Sequence, residues 1–179
     1  MNIVEQAPLV DEILAAHREE IGKDFTAYSN HCHRVLNFCL ALCAEGEDRM
    51  TKVSIAVAFH DLGIWTDRTF DYLGPSKRLA RDWLTGAGRG DWSEQIESMI
   101  DQHHKIRRYN KDPVALVEPF READWIDVSL GLLKFGLPSG FIAGVRSRFP
   151  NAGFHRRLIA LSFERMRSHP ASPLPMMKY

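Results

Sequence analysis

The segment from Val53 to Trp65, VSIAVAFHDLGIW, constrains the fold of this chain more than any other. Its only clearly polar side chains are Ser54, His60 and Asp61, so a helix over this segment is expected to be buried on most sides. A His beside an Asp in an apolar interior costs several kcal/mol unless both side chains have partners. The pair is therefore satisfied either by neighbouring helices or by a divalent cation, for which imidazole and carboxylate are suitable ligands.

Apolar residues recur at helical spacing along the rest of the chain, and alternating runs typical of strands are scarce. We predict an all-α fold, a single-domain helical bundle over residues 1–179. Its motif-bearing core spans about 25–133, and C-terminal helices with a proline-rich tail cover 138–179. Helices are predicted over about 8–21, 25–45, 51–65, 76–86, 93–108, 113–133, 138–148 and 155–168. Pro119 is expected to kink or divide its helix.

The charge balance limits the kinds of partner. Lysine plus arginine and aspartate plus glutamate each number 23, so the overall field gives no reason to expect nucleic acid or an anionic membrane. No signal sequence is recognised at the start, and no apolar run approaches the ~20 residues of a membrane span. We expect a cytoplasmic protein, and a homodimer is compatible with the sequence.

Two other predicted helices carry polar side chains on their apolar faces. At 100° per residue His31 faces inward, whereas His33 falls on the opposite, more polar side. Asp124 lies on an apolar stripe, with Asp127 one turn onward. Each residue alone is compatible with a satisfied core group, and Asp127 also with a supporting role behind a metal ligand.

Two adjacent histidines, His103 and His104, are followed by a basic segment. His103 continues an apolar helical stripe, and His104 lies on its flank. Lys105 and Arg107 belong to the densest positive charge in the chain. This charge either complements the dipole at a helix C-terminus or anchors an anionic group such as phosphate.

The order of these residues resembles a known family. His31-x-x-Arg34-Val35, then His60-Asp61, then Asp124 in the sequence EAD, is similar to the HD superfamily of metal-dependent phosphohydrolases. The resemblance covers about residues 25–133, and the segments READWIDVSLGLLKFGLP and FPNAGFHRRL resemble a bacterial branch of it. It implies an all-α bundle with one divalent metal ion (Mn, Fe, Co, Ni, Zn or Mg). The ligands implied are His31, His60, Asp61 and Asp124.

Two departures narrow this resemblance. HD-type nucleoside 5′-monophosphatases carry a Glu three residues after the HD Asp, where this chain has Ile64. HD-GYP phosphodiesterases and the di-iron oxygenases of the superfamily have two additional, separated histidines, whereas only the adjacent His103 and His104 are available here. We therefore expect one metal ion rather than two, and no 5′-nucleotidase activity.

The leading hypothesis is hydrolysis of a phosphate ester, in a nucleotide-like small metabolite, by metal-activated water. Asp61 would bridge metal and water, and the candidates for proton transfer are His103, Asp67 and Asp127. The candidates for substrate binding are Arg68, Lys105, Arg107 and His104. The segment from Gly63 to Pro75 is expected to be a substrate-facing loop. The alternatives are a metal-dependent hydratase or oxygenase acting on a non-phosphorylated substrate, and a ligand-binding module with a structural metal.

Overall fold

A computed structural model describes residues 1–110 and 116–177, and within these ranges the chain forms helices and no β-strand. The predicted all-α fold is confirmed. The helices are α1 (Pro8–Ala16), α2 (Arg18–Ile21), α3 (Phe25–Leu42), α4 (Arg49–Phe59), α5 (Gly63–Thr66), α6 (Leu73–Gly86), α7 (Ser93–Gln102), α8 (Val117–Val128), α9 (Ser139–Arg148) and α10 (Phe154–Ser168). The first residues of the helix predicted over 113–133 lie outside the described ranges.

The helix α4 lies at the centre of the bundle. It packs against α1, α3, α6 and α7, while α8 packs against α3 and α7. Every residue from Val53 to Trp65 is buried, as the apolar pattern predicts. The His-Asp pair at the end of this helix therefore lies within the core.

The helix predicted over 51–65 is interrupted, so its prediction as one helix was wrong. It ends at Phe59, and the chain continues through turns in which the amide of Leu62 donates to the carbonyl of Phe59 at 3.1 Å. A Cβ atom on Gly63 would lie 2.7 Å from the carbonyl oxygen of Tyr72. Because only glycine permits this approach, the segment after Asp61 packs closely against the start of α6.

The helices α7 and α8 also differ from their predicted bounds. α7 ends at Gln102, where the His103 side chain satisfies a last-turn carbonyl. Lys105 and Arg107 therefore lie after the end of the helix, whereas the prediction over 93–108 placed them within it. Pro119 lies in the first turn of α8, where no intrahelical N–H bond is needed, so the described part of this helix continues from Pro119 without interruption.

The C-terminal elements close the bundle beside α3. Phe154, the first residue of α10, stacks on the His31 ring at a centroid distance of 4.0 Å. In the tail, Met176 is buried in the core, so part of the proline-rich segment packs on the body. Among the described residues, no helix combines the length and apolarity needed to cross a membrane.

Candidate metal centre

Four side chains from three parts of the fold bring their ligand atoms together in the core. His31 comes from α3, His60 and Asp61 from the end of α4, and Asp124 from α8. The Nε2 atoms of His31 and His60 are 2.9 Å apart. Asp61 Oδ2 lies 3.6 Å from His31 Nε2 and 3.4 Å from His60 Nε2. Asp124 Oδ1 lies 3.6 Å and 4.0 Å from the same two nitrogens.

These distances fit a shared cation. Ligand atoms that each lie about 2.0–2.2 Å from one ion are about 3–3.5 Å from one another in tetrahedral or octahedral geometry. The atoms of His31, His60 and Asp61 lie within 4.8 Å of one another, and Asp124 Oδ1 adjoins the two histidine nitrogens at 3.6 Å and 4.0 Å. These four residues, hereafter the tetrad, are almost fully buried. Two imidazoles and two carboxylates are a donor set that first-row divalent metals accept.

The hydrogen bonds of the histidine rings also favour a cation. His60 Nδ1 lies 2.8 Å from the carbonyl oxygen of Val57, which can only accept. His31 Nδ1 lies 2.6 Å from the Asp127 carboxylate. Each Nδ1 therefore carries the proton, so a neutral ring presents the Nε2 lone pair. Burial lowers the pKa of His60 to about 3, which keeps that ring neutral, and the two facing lone pairs need a positive charge between them.

Three of the four carboxylate oxygens of the tetrad lack a hydrogen bond from the protein. Both carboxylate oxygens of Asp124, and Oδ1 of Asp61, are buried without a hydrogen bond. Burial raises the pKa of Asp124 to about 7, although the nearby His103 and His31 oppose the shift. Burial also opposes ionisation of Asp61, but His60, His103 and His31 outweigh it and hold the pKa of this acid well below its usual value. A cation would satisfy the atoms that the fold leaves unpaired.

A second group of ligand atoms adjoins the tetrad and shares Asp61 with it. It consists of Asp61, His103 and His104, whose ligand atoms lie within 4.8 Å of one another. His103 Nε2 has no hydrogen-bond partner and lies 3.4 Å from Asp61 Oδ1. The Nδ1 atom of His104 lies 3.4 Å from Asp124 Oδ2. The adjacent histidines thus face the two carboxylates of the tetrad, His103 towards Asp61 and His104 towards Asp124.

Asp127 lies behind the tetrad. It accepts the Nδ1 proton of His31 at 2.6 Å and two bonds from Arg34, at 2.6 Å and 2.8 Å. Burial opposes its ionisation, but these bonds hold the pKa of Asp127 below its usual range. Arg34 also donates to the carbonyls of Phe149 and Pro150, so this ion pair ties the α9–α10 turn to a tetrad histidine. Asp127 therefore orients His31 and does not face the tetrad centre.

The remaining sequence candidates lie outside the cluster. Asp67 is at the surface, where a hydrogen bond from Arg78 lowers its pKa. Arg68 and Arg107 are exposed, and Lys105 is half-buried. The carbonyl oxygen of Lys105 accepts bonds from Arg121 and Trp125, which fixes the backbone just after His104.

His33 lies outside the tetrad, as predicted, but it is buried rather than on a polar surface. It is 5% exposed, stacks on Phe149 and bonds Asp11 of α1. The helix α1 and the C-terminal segment cover the face of α3 that periodicity alone marks as the polar side.

Two tyrosines at the cluster were not found from the sequence. The Tyr72 hydroxyl lies 2.7 Å from His104 Nε2, and the Tyr28 hydroxyl accepts the backbone N–H of Asp61 at 3.3 Å. Tyr28 is one turn before His31 on the same helix, so helical spacing was a usable signal for it. No sequence pattern marks Tyr72, since the tertiary fold alone brings it to His104.

Comparisons of the chain with known protein families, with curated proteins and with solved structures give no match. The functional argument therefore depends on the residues and geometry of the site.

Proposed function

We propose that this protein is a metal-dependent phosphohydrolase of the HD type, with the tetrad holding one divalent ion. The observation that carries the proposal is the tetrad itself: two Nε2 lone pairs 2.9 Å apart, next to a buried Asp124 that has no hydrogen bond. When bound, a divalent ion lowers the pKa of a coordinated water and stabilises charge on phosphoryl oxygens.

A residue beside the tetrad is suited to proton transfer. His103 Nε2 and Asp61 Oδ1 are both buried, unpartnered and 3.4 Å apart. Burial lowers the pKa of His103, but the nearby carboxylates of Asp61 and Asp124 outweigh it, so the net shift is upward. His103 is therefore suited to hold a proton at Nε2 and to deliver it to a leaving oxygen. Asp127 serves instead to orient His31.

The test combines metal analysis with a general substrate. Protein purified without chelator should contain about one ion per chain, and it should hydrolyse p-nitrophenyl phosphate with at least one of Mn, Fe, Co, Ni, Zn or Mg. Asp61→Asn should abolish turnover, whereas Asp91→Asn, outside the described cluster, should not change it. A filled site with no phosphate ester hydrolysed by any metal form would refute the phosphohydrolase proposal.

The second ligand group favours one other candidate, an oxygenase with two metal ions bridged by Asp61. Its support is the convergence of His103 and His104 on the carboxylates of the tetrad. Two ions per chain, retained iron and oxygen consumption dependent on a non-phosphorylated substrate would select it. A single ion with phosphate release would select the hydrolase.

A further inference from the structure

A cavity of about 660 Å³ lies between the segment after the His-Asp pair and α10. Its volume is within the usual range for small-molecule sites, about 300–1,000 Å³. Trp65 and Phe70 supply aromatic surface, and Arg68 and Lys23 supply positive charge. This cavity includes no member of the tetrad.

Two pairs of aromatic rings separate this cavity from the metal centre. The ring centroids of Trp65 and Tyr28 are 4.5 Å apart, and those of Tyr28 and His60 are 6.0 Å apart. On the other side Phe70 is 6.1 Å from Tyr72, whose hydroxyl contacts His104. A ligand in the cavity is thus one tyrosine away from the cluster by either route.

The charges of the cavity favour a ligand with a single anionic group. Four of its lining residues are lysine or arginine and three are acidic, and Asp24 is already engaged by Arg157 at 3.0 Å and by Trp65 at 3.1 Å. Within the described ranges, the side chains of Arg68 and Lys23 have no hydrogen bond or ion pair. Arg68 is therefore available for a phosphate, whereas the acids Glu20 and Glu164 disfavour a polyphosphate.

We propose that this cavity is a ligand site separate from the metal centre, and that it binds a phosphate monoester with an aromatic or apolar body. Arg68 contacts the phosphate, and Trp65 and Phe70 contact the body. The site lies on the loop side of the bundle, away from the basic segment after His103, and it does not depend on the phosphohydrolase function proposed above.

Binding is tested without turnover by titrating phenylphosphonate, which has no ester bond, and following tryptophan fluorescence. Trp65 is the described tryptophan that lines this cavity, so binding should quench its emission and Trp65→Phe should lose that signal. Phenol and inorganic phosphate, which resemble the aromatic part and the anionic part of the probe, should bind at least about tenfold more weakly. Arg68→Ala should weaken binding about tenfold or more, while the control Arg148→Ala, an exposed residue paired with Glu5, should leave it unchanged.

Metal analysis separates this inference from the proposed function. Arg68→Ala should leave the metal content within about twofold of wild type, because Arg68 lies outside the tetrad. Unchanged phenylphosphonate binding in both Arg68→Ala and Phe70→Ala would overturn the cavity proposal, even if turnover is present. Binding that needs Arg68, in a protein that hydrolyses no phosphate ester, would support the cavity and overturn the hydrolase.

Discussion

Asp124 and Asp127 lie one turn apart on α8 and are both almost completely buried, yet their surroundings differ. Asp127 accepts bonds from His31 and Arg34, and its pKa lies below the usual range despite burial. Asp124 has no hydrogen bond, and burial raises its pKa to about 7. One carboxylate thus completes the structure, whereas the other is left for a ligand that the polypeptide does not provide. In the same core, Asp127 thus has a supporting role, whereas Asp124 is the candidate ligand.

The largest expected effect is the loss of stability on removing the supporting carboxylate. Asp127→Ala leaves Arg34, which is 1% exposed, as an unpaired buried charge, and such losses cost about 3–5 kcal/mol. Urea unfolding of chelator-treated protein measures this change. Asp11→Ala removes a largely exposed partner of His33 and should cost less than about 1 kcal/mol. Similar losses in the two variants would remove the structural role assigned to Asp127.

The next effect concerns metal affinity at the other carboxylate. Asp124→Asn should weaken metal binding at least about a hundredfold, since even residues behind the ligands contribute about 10–100-fold. The unfolding free energy of the chelator-treated protein should not fall, because Asn, like the protonated acid, places no charge at this buried position. Calorimetric titration with Mn, Co or Ni provides the measurement, and the half-buried Glu122→Gln on the same helix is the matched control. Equal affinity in the Asp124 and Glu122 variants would contradict the tetrad.

A pH series sharpens the same contrast. In metal-free protein the folded state holds the Asp124 proton up to about pH 7, whereas the unfolded state releases it near the ordinary value of about 4. The folded state therefore binds more protons between these values, and its stability falls as pH rises. Relative to Asp124→Asn, wild type should lose about 2 kcal/mol between pH 5 and 7 and little more above that. Saturating metal should abolish the slope, and a metal-free difference that is flat with pH would show that Asp124 is already ionised.

The smallest effect is expected at His33, two residues from a tetrad histidine. His31→Ala should reduce metal occupancy strongly, whereas His33→Ala should change metal affinity less than about twofold, because His33 faces Asp11 and Phe149. His33→Ala should still cost about 1 kcal/mol of stability through lost packing and a lost hydrogen bond. Metal content measured on both purified variants tests the expected difference in metal binding. Equal losses of metal would mean that α3 presents a different face to the site.

Local pattern was enough to predict the helical fold and the inward faces of several helices. Periodicity in Val53–Trp65 predicted a central buried helix with a His-Asp pair that needs partners, and that segment lies in the core. It also placed His31 and Asp124 on apolar faces, and both are buried. These features follow from side-chain spacing along single helices, which a sequence records directly.

Only the tertiary structure decided which of these polar groups are paired. The bonds from Arg34 to Asp127 join residues 93 positions apart, and helical spacing alone does not distinguish Asp127 from Asp124, which the resemblance to the HD superfamily had separated. The break after Phe59 and the early end of α7 were likewise not predicted, and the contact between Tyr72 and His104 joins residues 32 positions apart. Hydrogen-bond satisfaction in a core depends on every helix that surrounds it. The sequence therefore determined which residues face inward, whereas the fold decided which of them remained open to a cation.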